Sequence, residues 1–397
     1  MQSTILPSSC CAKIEKLIRK FIWGYSNDHR GVHLVSWNDL CQPTKHGGCG
    51  LIKLESQNKA FMMKLIFKIH SQPDSLWVRV LKQKYMVTDL SRVPSRARMS
   101  YFWRNLIKYW DEAAMHIKWN PGDGCKVKFW EDYWVSDHGP LKNVSFSPVP
   151  SHELLRPISD FVNGDNSWNW GLFQTLLPPD VLKDISSIKI QSGNPASPCS
   201  WCLNSNGGFS TKSAYNAIEA LNWNDLRPIW STLWKLPMAQ RVKSFMWLLL
   251  KGKLLTNAER FRRNMAAVST CSICNHDKEC LDHVFKNCNI VSTVWKRILP
   301  SDMSSDFFRI NLSTWLNLII TSSSLDTSWK IGICITCWKL WGSRNNAIFA
   351  DRAPTAEGVL AQIHAVVVHT QQAFSIFNFQ FCYVICCCSR LYSSFIV

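Results

Sequence analysis

The sequence lacks the residue patterns on which common catalytic sites are built. It contains no Tyr-x-Asp-Asp, no pair of adjacent aspartates, no Gly-x-Ser-x-Gly and no His-Glu-x-x-His. The glycines at 47, 48 and 50 do not follow the Gly-x-x-x-x-Gly-Lys-Ser/Thr order of a phosphate-binding loop, so they indicate a turn. We therefore predict that the chain is not an enzyme and has no small-molecule substrate.

Acidic residues are scarce relative to basic ones. The chain has 28 Asp and Glu against 45 Lys and Arg, which gives a net charge of +17. Residues 1–90 hold 13 basic against 6 acidic side chains, and residues 233–300 hold 12 against 4. These two segments predict contacts with a polyanion, most often the phosphate backbone of RNA or DNA. The alternative is a basic protein without a defined binding site.

The sequence also lacks long apolar runs. No run approaches the roughly 18 residues that a membrane-spanning helix needs, and the first residues do not have the pattern of a secretory signal. We therefore expect an intracellular protein, in the nucleus or the cytoplasm, with no membrane association. The 17 cysteines are then expected to be reduced, and clustered cysteines to be metal ligands rather than disulfides.

One group of cysteines has the spacing of a metal site. Cys271, Cys274, His283 and Cys288 follow the pattern C-x2-C-x8-H-x4-C. Three thiols and one imidazole are the ligand set of a four-coordinate structural Zn²⁺ site, which leaves no open position for a catalytic water. The alternative is a chance cluster among many cysteines, and Cys280 inside the loop, a fifth thiol, keeps that alternative open.

Apolar periodicity predicts a mostly helical α+β fold. Residues 11–23, 56–70 and 75–85 have amphipathic helical patterns whose basic faces are either solvated or in contact with a polyanion. The Trp-rich middle has strand and hairpin signals, with alternation over 126–130 after Gly122-Asp123-Gly124 and a tight turn at Asn206-Gly207. Its aromatic residues either form core or stack on unpaired bases. A helix from about Lys212 to Leu221 follows.

The metal motif lies in a basic helical segment. Pro237 is predicted to open a helix that ends at Gly252, and Thr256 and Glu259 fit a capping box at the start of the next helix. A third helix is predicted after His283, so that the last two ligands lie at its start. The predicted phosphate contacts flank the motif and are Lys243, Lys251, Lys253, Arg260, Arg262 and Arg263.

Several blocks resemble one family. They are Trp37…Gly50, Ser75-Leu76-Trp77, Trp119…Trp134, Trp201…Tyr215 and, most specifically, Leu233-Trp234-Lys235-Leu236-Pro237…Cys271…Cys274…His283-Val284-Phe285…Cys288…Trp295. This set resembles plant LINE-type (non-LTR) retrotransposon proteins and their reverse-transcriptase zinc-binding domain. In that family the first blocks lie downstream of the polymerase, and residues 329–349 resemble the helix that precedes a ribonuclease H domain.

The resemblance implies a fragment without a polymerase core or a ribonuclease H domain. Only Asp351 and Glu357 follow Phe349 as acids, too few for a two-metal hydrolytic site. The segments predicted are a basic helical connecting region (1–90), a Trp-rich strand and turn region (91–222), the zinc-binding domain (223–305), a helical linker (306–350) and a divergent tail (351–397) that includes Cys386-Cys387-Cys388.

Three functions are compared on this basis. The first is a zinc-stabilised, non-catalytic fragment that binds RNA or DNA. The second is a structural or protein-interaction module in which Zn²⁺ only holds the fold. The third, residual ribonuclease H activity, is disfavoured by the missing carboxylates.

Overall fold

Helices make up most of the computed structural model, which describes residues 4–24, 31–85, 99–190, 199–276, 278–350 and 352–374. The α-helices are α1 (Ser8–Ile22), α2 (Trp37–Cys41), α3 (Leu54–Ser71), α4 (Leu76–Tyr85), α5 (Tyr101–Ile107), α6 (Trp110–Ala114), α7 (Pro179–Ser187), α8 (Thr211–Glu219), α9 (Pro228–Lys235), α10 (Gln240–Leu250), α11 (Asn257–Arg262), α12 (Asn289–Ile298), α13 (Ser301–Arg309), α14 (Leu312–Thr321), α15 (Thr327–Phe349) and α16 (Ala356–Phe374).

The β-structure is small. Strands β1 (Ile117–Lys118) and β2 (Ser200–Trp201) pair antiparallel, with Ile117 opposite Trp201. The chain turns after β2 at Asn206-Gly207, where Gly207 has a φ of +67° and accepts a 2.7 Å hydrogen bond from the Trp201 amide. The predicted mostly helical α+β class is therefore confirmed.

The chain divides into two compact units. Unit 1 comprises Met1–Tyr25 and Ile52–Asn222, and unit 2 comprises Ser26–Leu51 and Trp223–Val397. The predicted segment 1–90 contributes to both units, because residues 26–51 cluster with the later half of the chain. Sequence periodicity, which is local, has no means of showing this long-range association.

Unit 1 is built first around α3. This helix packs against α1, α5, α6 and α8, and its apolar face joins a core that includes the fully buried Trp103 and Trp201. Helix α8 begins as predicted, because the Ser210 hydroxyl accepts a hydrogen bond from the Ser213 amide.

A buried carboxylate joins α8 to α3 within unit 1. Glu219 accepts hydrogen bonds from Lys53 Nζ at 2.8 Å and from Ser56 Oγ at 2.5 Å. Burial raises the pKa of Glu219, but these two hydrogen bonds, the charge of Lys53 and a hydrogen bond from Asn222 together outweigh burial and leave the pKa below its usual value. The ionised carboxylate therefore stabilises the contact between the two helices.

A second core of unit 1 consists of aromatic residues held by turns. Phe129 stacks on Phe161 with ring centres 4.1 Å apart, and Trp134 stacks on Trp168 at 5.6 Å. The strand predicted over 126–130 is not formed, and Lys128 makes only an isolated bridge to Pro157. Here the alternation marks residues such as Val127 and Phe129 that enter a core between turns. These aromatic residues are core rather than a base-stacking surface.

Helix α15 is the centre of unit 2. Its residues from Ser328 to Cys337 are all buried, as expected of a helix that is covered on every side. Asp326 caps its start, since the Asp326 side chain accepts a hydrogen bond from the Ser328 amide, and the helix packs against α10 and α16. The segment predicted as a helical linker thus forms the core of this unit.

The segment 31–51 lies against α9 and α10 within unit 2. The Trp247 indole donates a 2.9 Å hydrogen bond to the Gly47 carbonyl, and the Gly47 backbone has a φ of +85°. A Cβ on Gly48 would lie 2.0 Å from the Gln42 carbonyl oxygen. The glycines of this turn therefore serve close packing, in agreement with the turn predicted from their order.

The two helices predicted before the metal motif are present with small differences. Helix α10 begins at Gln240 rather than at Pro237, and Gly252 follows its end with a φ of +66°. Thr256 Oγ1 accepts a hydrogen bond from the Glu259 amide, as the capping box requires. The prediction of the second hydrogen bond of the box, from the Thr256 amide to the Glu259 carboxylate, is wrong. The Glu259 carboxylate binds arginines instead, and the Thr256 amide donates to the Leu254 carbonyl.

The predicted tail contains an ordered helix, α16, which packs against α12 and α15. Cys386-Cys387-Cys388 lies outside the described residues. Among the helices of the described ranges, none has the length and apolar character required to traverse a lipid bilayer.

Candidate metal centre

The first two predicted ligands lie on one tight turn. The Cys271 amide donates to the His276 carbonyl, and the Asn275 amide donates back to the Cys271 carbonyl, both at 2.9 Å. Asn275 has a φ of +57°, a left-handed conformation that asparagine tolerates better than most residues. This turn brings the thiols of Cys271 and Cys274 to the same side of the loop.

The other two predicted ligands lie at a helix start. His283 begins a short π-helical turn, His283–Asn287, and Cys288 is the residue that precedes α12. The Cys288 amide donates to the His283 carbonyl at 3.0 Å. A π-helical turn is uncommon and occurs mainly at functional sites, and here it places a ligand at each of its ends.

The structure brings the four predicted ligands together. One donor atom from each of Cys271, Cys274, His283 and Cys288 lies within 4.8 Å of the others. The edge of a tetrahedral zinc–thiolate site is roughly 3.8 Å, given a Zn–S bond of about 2.3 Å. Cys280 does not belong to this cluster, so the fifth thiol leaves the four-ligand set unchanged.

The electrostatics of the cluster favour a cation. The hydrogen bond with Cys288 lowers the pKa of the Cys271 thiol, and the same contact raises the pKa of Cys288. Both side chains are buried, and a second thiolate beside the first is disfavoured without a positive charge between them. A divalent ion at this position would allow all the thiols to ionise.

The histidine fits the same interpretation. His283 Nε2 lies 3.3 Å from Cys274 Sγ, so this nitrogen faces the thiols. Its Nδ1 is buried and has no hydrogen-bond partner among the described residues. A metal ion among the thiols would bind Nε2, the nitrogen that faces them, and Nδ1 would then carry the proton of the neutral imidazole. The residues present therefore fit Zn²⁺, which would supply structural cross-linking and no open coordination position.

Apolar side chains cover the cluster. We refer to residues 271–288, which carry the four ligands, as the metal loop. A cavity of about 20 Å³ beside Cys271 and Cys288 is lined by Ile273, Val284, Leu340 and others from the metal loop, α12, α15 and α16. The ligands thus lie inside unit 2 rather than on a surface loop, which agrees with a structural role for the metal.

A buried ion pair that sequence reasoning missed fixes the metal loop to α15. Arg344 Nη2 lies 2.5 Å from Glu279 Oε1, and the side chains are 4% and 0% exposed. Asn257, the first residue of α11, completes the network. Its amide donates to Glu279 Oε1 at 2.7 Å, and its side-chain oxygen accepts from Arg344 at 2.9 Å. The partners are up to 87 residues apart, so no local pattern could reveal them.

Comparison with known proteins identifies the segment that contains this cluster. Residues 209–295 match the family described as zinc-binding in reverse transcriptase. A putative ribonuclease H protein of Arabidopsis thaliana is 28% identical over 369 residues, which cover 90% of this chain. The chain spans 59% of that relative's length. An uncharacterized mitochondrial protein of Arabidopsis thaliana is 30% identical over 133 residues, which cover 33% of this chain and 86% of that protein.

The chain belongs to a family of retrotransposon-derived proteins. It carries the zinc-binding domain of a reverse-transcriptase-related protein, and the four-residue cluster lies inside the matched segment. The prediction of Zn²⁺ as cofactor is therefore confirmed.

Arg262, the last residue of α11 in this retrotransposon-derived protein, and Arg263, which follows it, share one carboxylate. Arg262 donates to Glu259 at 2.7 and 2.6 Å, and Arg263 donates to it at 2.6 Å. The hydrogen bond from Arg262 is the main reason that the pKa of Glu259 falls to about 2. Arg260 instead lies over the Phe349 ring. One acid against the two arginines of α11 and Arg263 after it leaves this segment positively charged.

The three predicted lysines differ in their contacts with other residues of the protein. Lys243 Nζ donates to the Trp234 carbonyl at 2.9 Å, and burial lowers its pKa. Lys251 Nζ lies 3.6 Å from Asp39. Lys253 is half-buried. Two of the three predicted lysines therefore have partners inside the protein, as the three arginines also do. Of the six predicted residues, Arg262 is the most accessible to a phosphate, because its side chain is 70% exposed.

Proposed function

We propose that the chain is a zinc-stabilised, nucleic-acid-binding part of the reverse transcriptase of a plant LINE-type (non-LTR) retrotransposon, and that it has no catalytic activity by itself. The RNA or DNA would be held mainly by contacts to its phosphate backbone, in the nucleus or the cytoplasm. The reverse-transcriptase zinc-binding family and the +17 charge support this proposal.

The observation that carries the proposal is the attachment of α11 to the metal loop. The Ala258 amide donates to the Glu279 carbonyl at 3.2 Å, and the Asn257 side chain donates to the Thr270 carbonyl at 2.8 Å. Thr270 directly precedes the ligand Cys271. Zn²⁺ that fixes this loop therefore also fixes the helix that presents Arg260, Arg262 and Arg263.

The test measures the binding of labelled single-stranded RNA to the zinc-loaded chain by fluorescence anisotropy. The salt concentration is varied from about 0.05 to about 0.3 M. We expect binding that weakens steeply with salt. Replacing Arg260, Arg262 and Arg263 together with Gln should lower the slope of log Kd against log salt by about 2, since each single-strand phosphate contact contributes roughly 0.7. No binding at the lowest salt would contradict the proposal.

A specific observation favours a second function, a protein-interaction module. Phe261, Met265 and Val268 are exposed apolar side chains on and after α11, while Glu259 engages two of the three arginines. Such a surface suits a protein partner. RNA affinity that does not change in the triple Arg→Gln variant would favour this function.

The absence of catalysis is tested separately. We expect no product when an RNA–DNA duplex is incubated with the chain and Mg²⁺ or Mn²⁺, because among the described residues the group placed to hold a metal is the closed set of three cysteines and one histidine, not a cluster of carboxylates. Metal-dependent cleavage that persists through purification would show a ribonuclease H activity instead.

A further inference from the structure

One side of α15 carries two aromatic residues and a gap between them. Trp338 and Phe349 are 11 residues apart, which places them about 20° apart around the helix axis and about 16 Å apart along it. Gly342 and Asn345 fall on the same face by the same geometry. We refer to Trp338, Gly342, Asn345 and Phe349 as the α15 stripe.

Cations from α10, from α11 and from α15 itself lie on the two aromatic residues of the α15 stripe. The Arg241 guanidinium of α10 is 4.9 Å from the centre of the Trp338 ring, and Lys339 Nζ is also 4.9 Å from that ring. Arg260 of α11 is 5.7 Å from the Phe349 ring. Among the described residues no carboxylate forms a salt bridge with any of these three cations.

The pair of cations on Trp338 is electrostatically unfavourable by itself. Burial and then the charge of Arg241 lower the pKa of Lys339. An indole face attracts one cation, but two cations on one ring also repel each other. A bound anion would offset this repulsion, which makes the pair suited to a phosphate.

The α15 stripe also has room for a ligand. A Cβ added to Gly342 would meet no atom within 4 Å, and the Phe349 side chain is 70% exposed. Flat aromatic and guanidinium surfaces interleaved with cations are the features by which proteins bind unpaired bases and their phosphates. A structured duplex does not offer its base faces to such a surface.

We propose that the α15 stripe binds single-stranded nucleic acid, with Arg241, Lys339 and Arg260 on its phosphates and the exposed Phe349 ring against a base. The proposal rests on the proposed function and adds a contact area on α10 and α15. The distance between Trp338 and Phe349 is spanned by at most about five phosphates at the roughly 3.4 Å spacing of a stacked strand.

The experiment compares two double variants of the zinc-loaded full chain. Arg241→Gln with Lys339→Gln keeps the side-chain stems over the indole and removes both charges. Lys45→Gln with Lys296→Gln removes the same charge from two exposed lysines elsewhere in unit 2. Binding of a fluorescein-labelled 12-nucleotide RNA, a probe longer than the roughly five phosphates of the site, is measured by anisotropy across a salt series.

We expect the first variant to lower the slope of log Kd against log salt by about 1.4. Extrapolated from equal affinity at about 1 M salt, this slope corresponds to roughly 25-fold weaker binding at 0.1 M. The control variant should bind within about threefold of wild type, because isolated surface charges are screened. Unchanged zinc content and circular dichroism establish that each variant is folded.

A second measurement uses the unaltered protein. An amine-reactive reagent labels lysines with and without the RNA, and mass spectrometry compares Lys339 with Lys45 and Lys296. Selective protection of Lys339 supports the site even if the variant is unstable. If wild type binds RNA, both double variants weaken binding equally and Lys339 is not protected, the proposed site on the α15 stripe is overturned but the proposed function is not. Absence of RNA binding by wild type overturns the proposed function as well.

Discussion

Replacing Arg344 with Met should destabilise unit 2 strongly. The substitution keeps an unbranched side chain in α15 but removes the only cation that bonds to Glu279 among the described residues. Glu279 is fully buried, and its second oxygen, Oε2, already lacks a partner. The variant therefore leaves a buried carboxylate with only the Asn257 amide as a donor.

The expected cost follows from that geometry. Breaking a buried ion pair by removing one partner typically costs about 3–5 kcal/mol, because the remaining charge stays desolvated. For a unit of this size about 4 kcal/mol corresponds to a fall in Tm of roughly 8–16 °C. The double variant Glu279→Gln with Arg344→Met should recover part of this loss, since the uncompensated charge is then absent.

The assay is thermal unfolding of the zinc-loaded chain, followed by circular dichroism, for wild type, both single variants and the double variant. Arg309→Met serves as the control. Its partner is Asp306 in an exposed ion pair at 2.9 Å, for which the expected cost is below about 1 kcal/mol. Equal Tm values for Arg344→Met and Arg309→Met would refute the reasoning, as would single-variant losses that simply add in the double variant.

Two further predictions concern backbone packing and pH. Gly48→Ala should lower the Tm of unit 2 by several degrees, because its Cβ would lie 2.0 Å from the Gln42 carbonyl oxygen, whereas Gly342→Ala in the same unit, which meets nothing within 4 Å, should not. Glu219→Gln should cost about 1–2 kcal/mol at pH 7. Because folding lowers the pKa of Glu219, that cost should shrink as the pH falls below about 4.5. Thermal unfolding of Glu219→Gln at pH 7 and pH 4 checks this, with Glu112→Gln, a change at an exposed residue, as the control. A fall in Tm that is the same at both pH values would contradict the prediction.

Local patterns were sufficient for much of the fold. The periodicity of residues 56–70 and 75–85 corresponds to α3 and α4, and the helix predicted from about Lys212 to Leu221 corresponds to α8. The C-x2-C-x8-H-x4-C spacing brings together four donors, because a tight turn and a helix start each fix two of them over short distances. These features depend on residues that are close in sequence.

The features that the sequence did not predict depend on contacts between residues that are far apart in the chain. The association of 26–51 with the later half of the chain and the Arg344–Glu279 pair both join distant segments. The alternation at Lys126–Trp130 reflects a turn-rich aromatic core, because a strand also needs a partner strand that the local pattern does not supply. The Arg241–Trp338 contact likewise could not be predicted from the sequence, because it forms only where α10 packs against α15.

The most direct test of the central claim is the zinc content of the purified chain, measured by atomic emission for wild type, Cys271→Ser and Cys280→Ser. The account predicts one Zn²⁺ per chain for wild type and for Cys280→Ser, and a large loss for Cys271→Ser, because Cys271 belongs to the four-donor cluster and Cys280 does not. Full zinc occupancy in Cys271→Ser, or loss of zinc in Cys280→Ser, would contradict it.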